Sequence, residues 1–161
     1  ARQAVIDPYP DYRPNVGVVL FNDQGLVWLG RRARTPEPWN WQFPQGGVDH
    51  GEDLFDAALR ELEEETGVRS ARYLGRTEDW IVYDFPPEVA ARGGRWRGQK
   101  QVWFALGFTG EDSEIRLDAH HQVEFEAWRW ARLDEAPELI VPFKRAAYEQ
   151  VATAFRRFAG P

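Results

Sequence analysis

The chain opens on polar, proline-punctuated residues and turns sharply apolar from Val16 to Phe21 (VGVVLF). A short apolar run bounded by turn signals predicts a buried strand. Asn22-Asp23-Gln24-Gly25 predicts a turn and Leu26 to Gly30 a returning strand, so the two are expected as a hairpin. A loop rich in Pro and Trp follows, from Thr35 to Pro44. The period then lengthens to that of a helix. Leu54, Phe55, Ala58, Leu59 and Leu62 form one stripe, which predicts a helix from about Asp53 to Thr66 that Gly67 stops. Further strands are predicted near Ala71 to Leu74, Asp79 to Asp84, Gln99 to Gly107 and Glu124 to Ala131, with an Arg- and Gly-rich loop over Pro86 to Gly98. Phe143, Ala147, Val151, Ala154 and Phe158 predict a closing helix from about Pro142 to Phe158. Strands interleaved with two helices imply an α/β fold with helices packed on a mixed sheet. No repeat, low-complexity tract or long linker divides the chain. Residues 1–161 therefore read as one domain, with 1–10 as an extended N-terminal arm.

Composition removes several chemistries. Hydrophobic residues make up 43% of 161 and aromatics 14%, enough for a packed core. There is no cysteine, so disulfides, thiolate metal sites and cysteine nucleophiles are excluded. His50, His120 and His121 are the only histidines and read as surface residues, which leaves oxygen donors for any metal. A net charge of −6 argues against coating duplex DNA, although an acidic protein can hold a polyanion through divalent cations. No apolar run approaches the ~20 residues that span a bilayer. The first residues do not read as a signal peptide. No membrane association and a cytoplasmic location are expected.

The predicted helix is the chemically unusual segment. Glu61, Glu64 and Glu65 fall within an arc of about 100° beside the apolar stripe, Glu65 almost inside it. Exposed carboxylates three and four apart repel by roughly 0.2–0.5 kcal/mol per pair. Beside a core the cost rises, because desolvation disfavours each charge. Two readings stay open on this geometry. One is a solvated acidic face in which Arg60 partners Glu64, which suits Glu63. The other is a divalent-cation site, which suits Glu61 and Glu65 better. A hard cation on carboxylates can bridge phosphate oxygens and lower the pKa of a bound water, and a spare carboxylate can take that water's proton.

The segment Gly46 to Val68, GGVDHGEDLFDAALRELEEETGV, resembles the Nudix box. Gly46, Glu52, Arg60, Glu61, Leu62, Glu64, Glu65, Gly67 and Val68 fill every fixed position of that motif. The resemblance implies an α/β/α sandwich with a mixed sheet between helices, and Mg²⁺-dependent hydrolysis of phosphoanhydrides, with Mn²⁺ able to substitute. It implies metal binding and water activation for Glu61, Glu64 and Glu65, and a backbone carbonyl from Gly46 to the metal. Arg60 would orient a glutamate, and Glu52 would support loop and helix.

Outside the box, Tyr12-Arg13-Pro14-Asn15-Val16-Gly17, Trp41-Gln42-Phe43-Pro44-Gln45-Gly46-Gly47, Gly98-Gln99-Lys100-Gln101, Glu124-Phe125, Trp128-Arg129-Trp130 and Phe143-Lys144-Arg145 are similar to one subgroup. That subgroup comprises bacterial RNA 5′-pyrophosphohydrolases and the dinucleoside polyphosphate hydrolases of bacteria and plants. It implies Glu124 as a further metal ligand or base. Arg13, Arg32, Lys100, Gln101 and Lys144 become phosphate contacts, and Tyr83 and Phe143 stacking faces for a base. Arg32 and Lys144 can equally be read as solvated charges, and Tyr83 and Phe143 as core. Trp103, Trp128 and Trp130 read as core, and Trp39 and Trp41 as either. Tyr83 to Pro87 (YDFPP) and Trp96 to Gln99 (WRGQ) look more like the plant enzymes. The loop ARTPEPWN is longer than expected of the enterobacterial RNA enzymes. The expected reaction is therefore diadenosine tetraphosphate to ATP and AMP, loss of pyrophosphate from a 5′-triphosphate RNA end, or both. The alternative is a nucleotide-sensing module of the same fold that does not cut, against which the intact glutamates stand.

Overall fold

The first apolar run becomes strand β1 (Tyr12–Phe21), buried from Asn15 to its end. A computed structural model describes residues 7–92 and 94–161, so most of the expected N-terminal arm, residues 1–6, lies outside it. After β1 come β2 (Val27–Arg32), β3 (Trp41–Gln42), β4 (Gln45–Gly47) and helix α1 (Leu54–Thr66). Strands β5 (Ala71–Arg76) and β6 (Ile81–Asp84), the single turn α2 (Pro87–Ala90) and β7 (Gly98–Phe108) follow. The chain then forms β8 (Phe125–Ala131), α3 (Ala136–Leu139) and α4 (Arg145–Phe155).

The sheet is mixed, and its axis is the parallel pair β1–β7, in register from Tyr12↔Gly98 to Phe21↔Gly107. A parallel pair buried on both faces explains why β1 reads as a continuous apolar run rather than an alternating one. The expected hairpin closes only at its turn: β1 and β2 are in register at Phe21↔Val27. Beyond that residue β1 gives its edge to β4 over Asn15 to Gly17, and β2 pairs with β8 and β3. A neighbouring turn sets proximity, while the longer partner sets the pairing.

The sheet separates two cores. On one face Val16, Val18, Leu20, Val102 and Phe104 pack against Ala57, Ala58 and Leu62 of α1. On the other Val19, Phe21, Trp103 and Ala105 pack against Ala147, Val151 and Phe155 of α4. Each buried side chain of this size contributes about 1.5–3 kcal/mol. The closing helix differs from expectation at both ends. Pro142–Lys144 and Arg156–Phe158 are tight 3₁₀ turns, and only Arg145–Phe155 is α-helical. The opening turn leaves Phe143 and Lys144 on the wall of a cleft. No helix among the described residues is long and apolar enough to cross a membrane.

Candidate active site

Helix α1 begins and ends where its sequence dictates. Asp53 caps it by accepting the Asp56 N–H, and Gly67 closes it at φ 78°, a left-handed conformation that glycine takes without strain. Between them Arg60 acts as a clamp. Its guanidinium grips both Glu52 carboxylate oxygens at 2.9 Å and donates to the Gly47 carbonyl at 3.0 Å. The remaining nitrogen reaches Glu61 at 2.9 Å and Glu64 at 3.3 Å. One planar fork thus joins the β4–α1 loop to the acidic helix face. Held by Arg60 and by the Asp49 N–H, Glu52 has its pKa drawn down to about 2.

Glu65 carries a charge that its surroundings disfavour. It is 7% exposed, and Gln45 donates its backbone N–H to it at 3.2 Å. Burial pushes its carboxyl well above the usual range, and the charges of Glu61 and Glu124 push it further. Glu61 is raised too, chiefly by burial, although Arg60 opposes the shift. At Gly46 a Cβ would overlap the Glu61 carboxylate, so any side chain there would push that carboxylate out of its place beside the β4 backbone. Among the described residues no three acidic or histidine side chains yet converge as a closed metal cage. Arg60 holds Glu61 and Glu64, and the Glu61 and Glu65 carboxylates lie within hydrogen-bonding reach of each other. The donors nevertheless fit a hard divalent cation. They are all oxygen, they face one another across a glycine, and one is a buried charge whose neighbours repel it.

On the opposite face of the sheet a cleft of about 450 Å³ opens between the β2–β3 loop, β6 and the start of α4. Of the residues expected to bind substrate, it brings together Arg32, Tyr83, Phe143 and Lys144. The Tyr83 and Phe143 rings lie 5.9 Å apart at 50°, and the Lys144 ammonium is 5.9 Å from each. Burial, aided by the nearby positive charge of Arg32, lowers the Lys144 pKa to about 8. Arg13 stands between cleft and box, its guanidinium where a side chain at position 47 would be, and it lines a smaller cavity that shares Phe85 and Gln99 with the cleft. Glu124, exposed and just before β8, approaches Glu65 closely enough to perturb it.

Two expected phosphate contacts are not brought to the cleft. The alternation of β7 sends Lys100 to the other face, where its ammonium meets Asp7 at 2.5 Å and lies 5.1 Å from the centre of the Trp80 ring. Gln101 faces the right way but is 2% exposed and fully engaged. The Trp103 indole N–H, a donor only, binds its Oε1 at 3.0 Å and so fixes the amide orientation. Its Nε2 then faces Asn15 at 2.8 Å and Gln45 and Gln99 at 3.2 Å. Sequence reasoning missed Gln99, which lines both cavities and accepts the Tyr83 hydroxyl at 2.5 Å. Its two-residue spacing from Gln101 on one strand was the available signal. Tyr148 was also missed. From α4 its hydroxyl accepts the Phe43 N–H at 3.0 Å and so steadies the strand-and-loop leading to Gly46. Nothing in its helical spacing distinguishes it from core.

Comparison with known proteins places this geometry. The NUDIX domain family matches residues 11–151. An RNA pyrophosphohydrolase of Caulobacter vibrioides is 67% identical over 156 residues, covering 94% of this chain and 90% of that protein. An RNA pyrophosphohydrolase of Bradyrhizobium sp. (strain ORS 278) is 53% identical over 159 residues, covering 92% and 95%. Among solved structures, a C. elegans Ap4A hydrolase binary complex superposes with a TM-score of 0.64 at 17% identity, covering 89% of this chain and 98% of that one. The E. coli dihydroneopterin triphosphate pyrophosphohydrolase superposes with a TM-score of 0.65 at 22% identity, covering the same 89% and 98%. At those identities the likeness is one of fold.

Proposed function

The chain belongs to the NUDIX domain family, and from that premise we propose that it removes pyrophosphate from the triphosphorylated 5′ end of RNA, with diadenosine tetraphosphate as a second substrate of the same site. It is a hydrolase of pyrophosphate bonds, as its relatives are. The RNA preference rests on what those relatives act on, and it outweighs the plant-like segments at Tyr83 to Pro87 and Trp96 to Gln99. The observation that carries the reading is Glu65, a buried carboxylate pushed up by the charges of Glu61 and Glu124, whose own charge reaches Lys144 in the cleft that also holds Arg32 and two aromatic rings.

The family works with divalent metal ions. Mg²⁺ is assigned here, with Mn²⁺ able to replace it, because the available donors are hard oxygens. When bound, such a cation neutralises phosphate charge and lowers the pKa of a water. Glu61, Glu64, Glu65 and the Gly46 carbonyl would hold it, with Glu124 as a further ligand or the base, and Arg60 keeps Glu61 and Glu64 in line with the loop. Tyr83 and Phe143 give a face to a base, while Arg13, Arg32 and Lys144 fix the phosphates relative to α1. Water oxygen attacks phosphorus, a bridging P–O bond breaks, pyrophosphate leaves, and Glu64, Glu65 or Glu124 takes the water's proton. With diadenosine tetraphosphate the same register yields ATP and AMP. A competition assay of a triphosphorylated oligonucleotide against diadenosine tetraphosphate, reading kcat/KM for each, tests the ranking. The RNA end is expected to win. Faster dinucleotide turnover would reverse the order, and full turnover in excess EDTA would remove the metal from the reaction.

A further inference from the structure

The loop between β2 and β3 treats its two tryptophans oppositely. Trp41, in β3, packs against the α4-side core, and the guanidiniums of Arg31 and Arg129 lie 5.9 and 4.9 Å from its ring centre. Trp39 belongs to neither core, is 45% exposed, and lines the cleft beside Pro36 and Pro38. Its backbone sits at φ 67°, in the left-handed region that a bulky side chain adopts only where its surroundings enforce it. The enforcement is visible. Arg32 donates its N–H to the Asn40 carbonyl at 2.8 Å, and the buried Asn40 amide donates to the Thr35 carbonyl at 3.1 Å, closing the loop at its base. The fold therefore holds a large aromatic in a costly conformation, outside any core, on the wall of a cavity.

We propose that Trp39 is a stacking wall of the base site. Its indole offers a flat π face to the nucleobase that enters the cleft with Tyr83 and Phe143, and it thereby sets affinity for base-bearing substrates. This rests on the reading of the cleft as the seat of a nucleoside polyphosphate end. A cavity of about 450 Å³ suits one base, and Arg32 and Lys144 on the same wall suit the phosphates attached to it. Two prolines beside Trp39 stiffen the loop, so little mobility is lost when a ring docks. The indole touches the base and not the reacting phosphorus, so its contribution belongs in KM.

The test compares Trp39→Gly, Trp39→Leu and Trp39→Phe on a triphosphorylated dinucleotide, on its base-less counterpart and on diadenosine tetraphosphate. Glycine is at ease at φ 67°, so Trp39→Gly should match or exceed the wild-type thermal midpoint. It should raise KM for the base-bearing substrates about 10-fold with kcat unchanged, the scale of one lost base stack. The base-less substrate should show no such rise. Trp39→Leu, bulky but without a ring, should behave like Trp39→Gly, and Trp39→Phe should recover most of the affinity. An unchanged KM in Trp39→Gly, an equal rise on the base-less substrate, or a lower midpoint with kcat and KM moving together would overturn the proposal. A wild-type protein inert on triphosphorylated RNA would instead sink the RNA reading, and the Trp39 comparison would be decided on diadenosine tetraphosphate.

Discussion

Glu65 and Gln101 are both nearly sealed from solvent, at 7% and 2% exposure, and both are hydrogen-bonded to Gln45, one to its backbone and one to its side chain. Around Gln101 every need is met: Trp103 supplies a donor to its oxygen, and Asn15 and Gln45 accept from its nitrogen. Around Glu65 the balance fails, because one N–H faces a charge that Glu61 and Glu124 repel. A saturated buried amide stabilises and aligns its neighbours. An under-compensated buried charge persists only where something else completes it. The contrast separates a positioning group from a reacting one more sharply than burial or residue type does.

The largest expected effect falls on Glu65. Glu65→Gln keeps the acceptor for Gln45 but discards the charge, so kcat should fall at least about 10²-fold. The thermal midpoint, measured in chelator, should stay level or rise, because burial cost and repulsion are both relieved. A clear drop in midpoint with kcat intact would erase the contrast. Gln101→Leu should show the converse split. Leaving Asn15, Gln45 and Trp103 short of partners costs about 1–3 kcal/mol. In a chain of this size each kcal/mol is worth about 2–4 °C of midpoint. Its kcat should fall far less than that of Glu65→Gln, and thermal melts beside steady-state kinetics would show whether it does.

The smallest effect concerns Lys144, where burial and Arg32 outweigh the opposing pull of Glu65 and bring the pKa to about 8. The sign follows directly: below about pH 8 the ammonium is charged and can hold a phosphate, and above it the neutral amine cannot. An ordinary lysine would stay charged to about pH 10. The value of kcat/KM, which reports the free enzyme, should therefore decline from pH 7 to 9 by up to about 10-fold. Lys144→Arg should flatten that limb, because a guanidinium stays protonated. An identical limb in the variant would assign it to another group.

Much of this site was legible along the chain, since it is built from one contiguous segment. A helix with caps at Asp53 and Gly67, an apolar stripe, and glutamates at three- and four-residue spacing carries its geometry in local sequence. So does the reach of Arg60 to Glu64, four residues away on the same helix. Less was legible where partners come from far apart. Gln101 was expected as a phosphate contact, and the partners that engage it instead lie 86 and 56 positions away, at Asn15 and Gln45. Lys100 is turned from the cleft toward Asp7 and Trp80 by a single residue of strand alternation, whose facing only the sheet decides.

The sequence by itself determined α1, its carboxylates, and the oxygen-only donor set that follows from having no cysteine. These depend on local periodicity and on composition. The tertiary structure alone decided that β1 abandons its hairpin for a parallel partner, that Lys100 and Gln101 face different cores, and that Trp39 faces the cleft. It alone decided, too, that Glu65 is buried and feels the charge of Glu124, a residue 59 positions away. Long-range pairing, burial and the field of distant charges arise only when chain segments meet, and no local pattern encodes them.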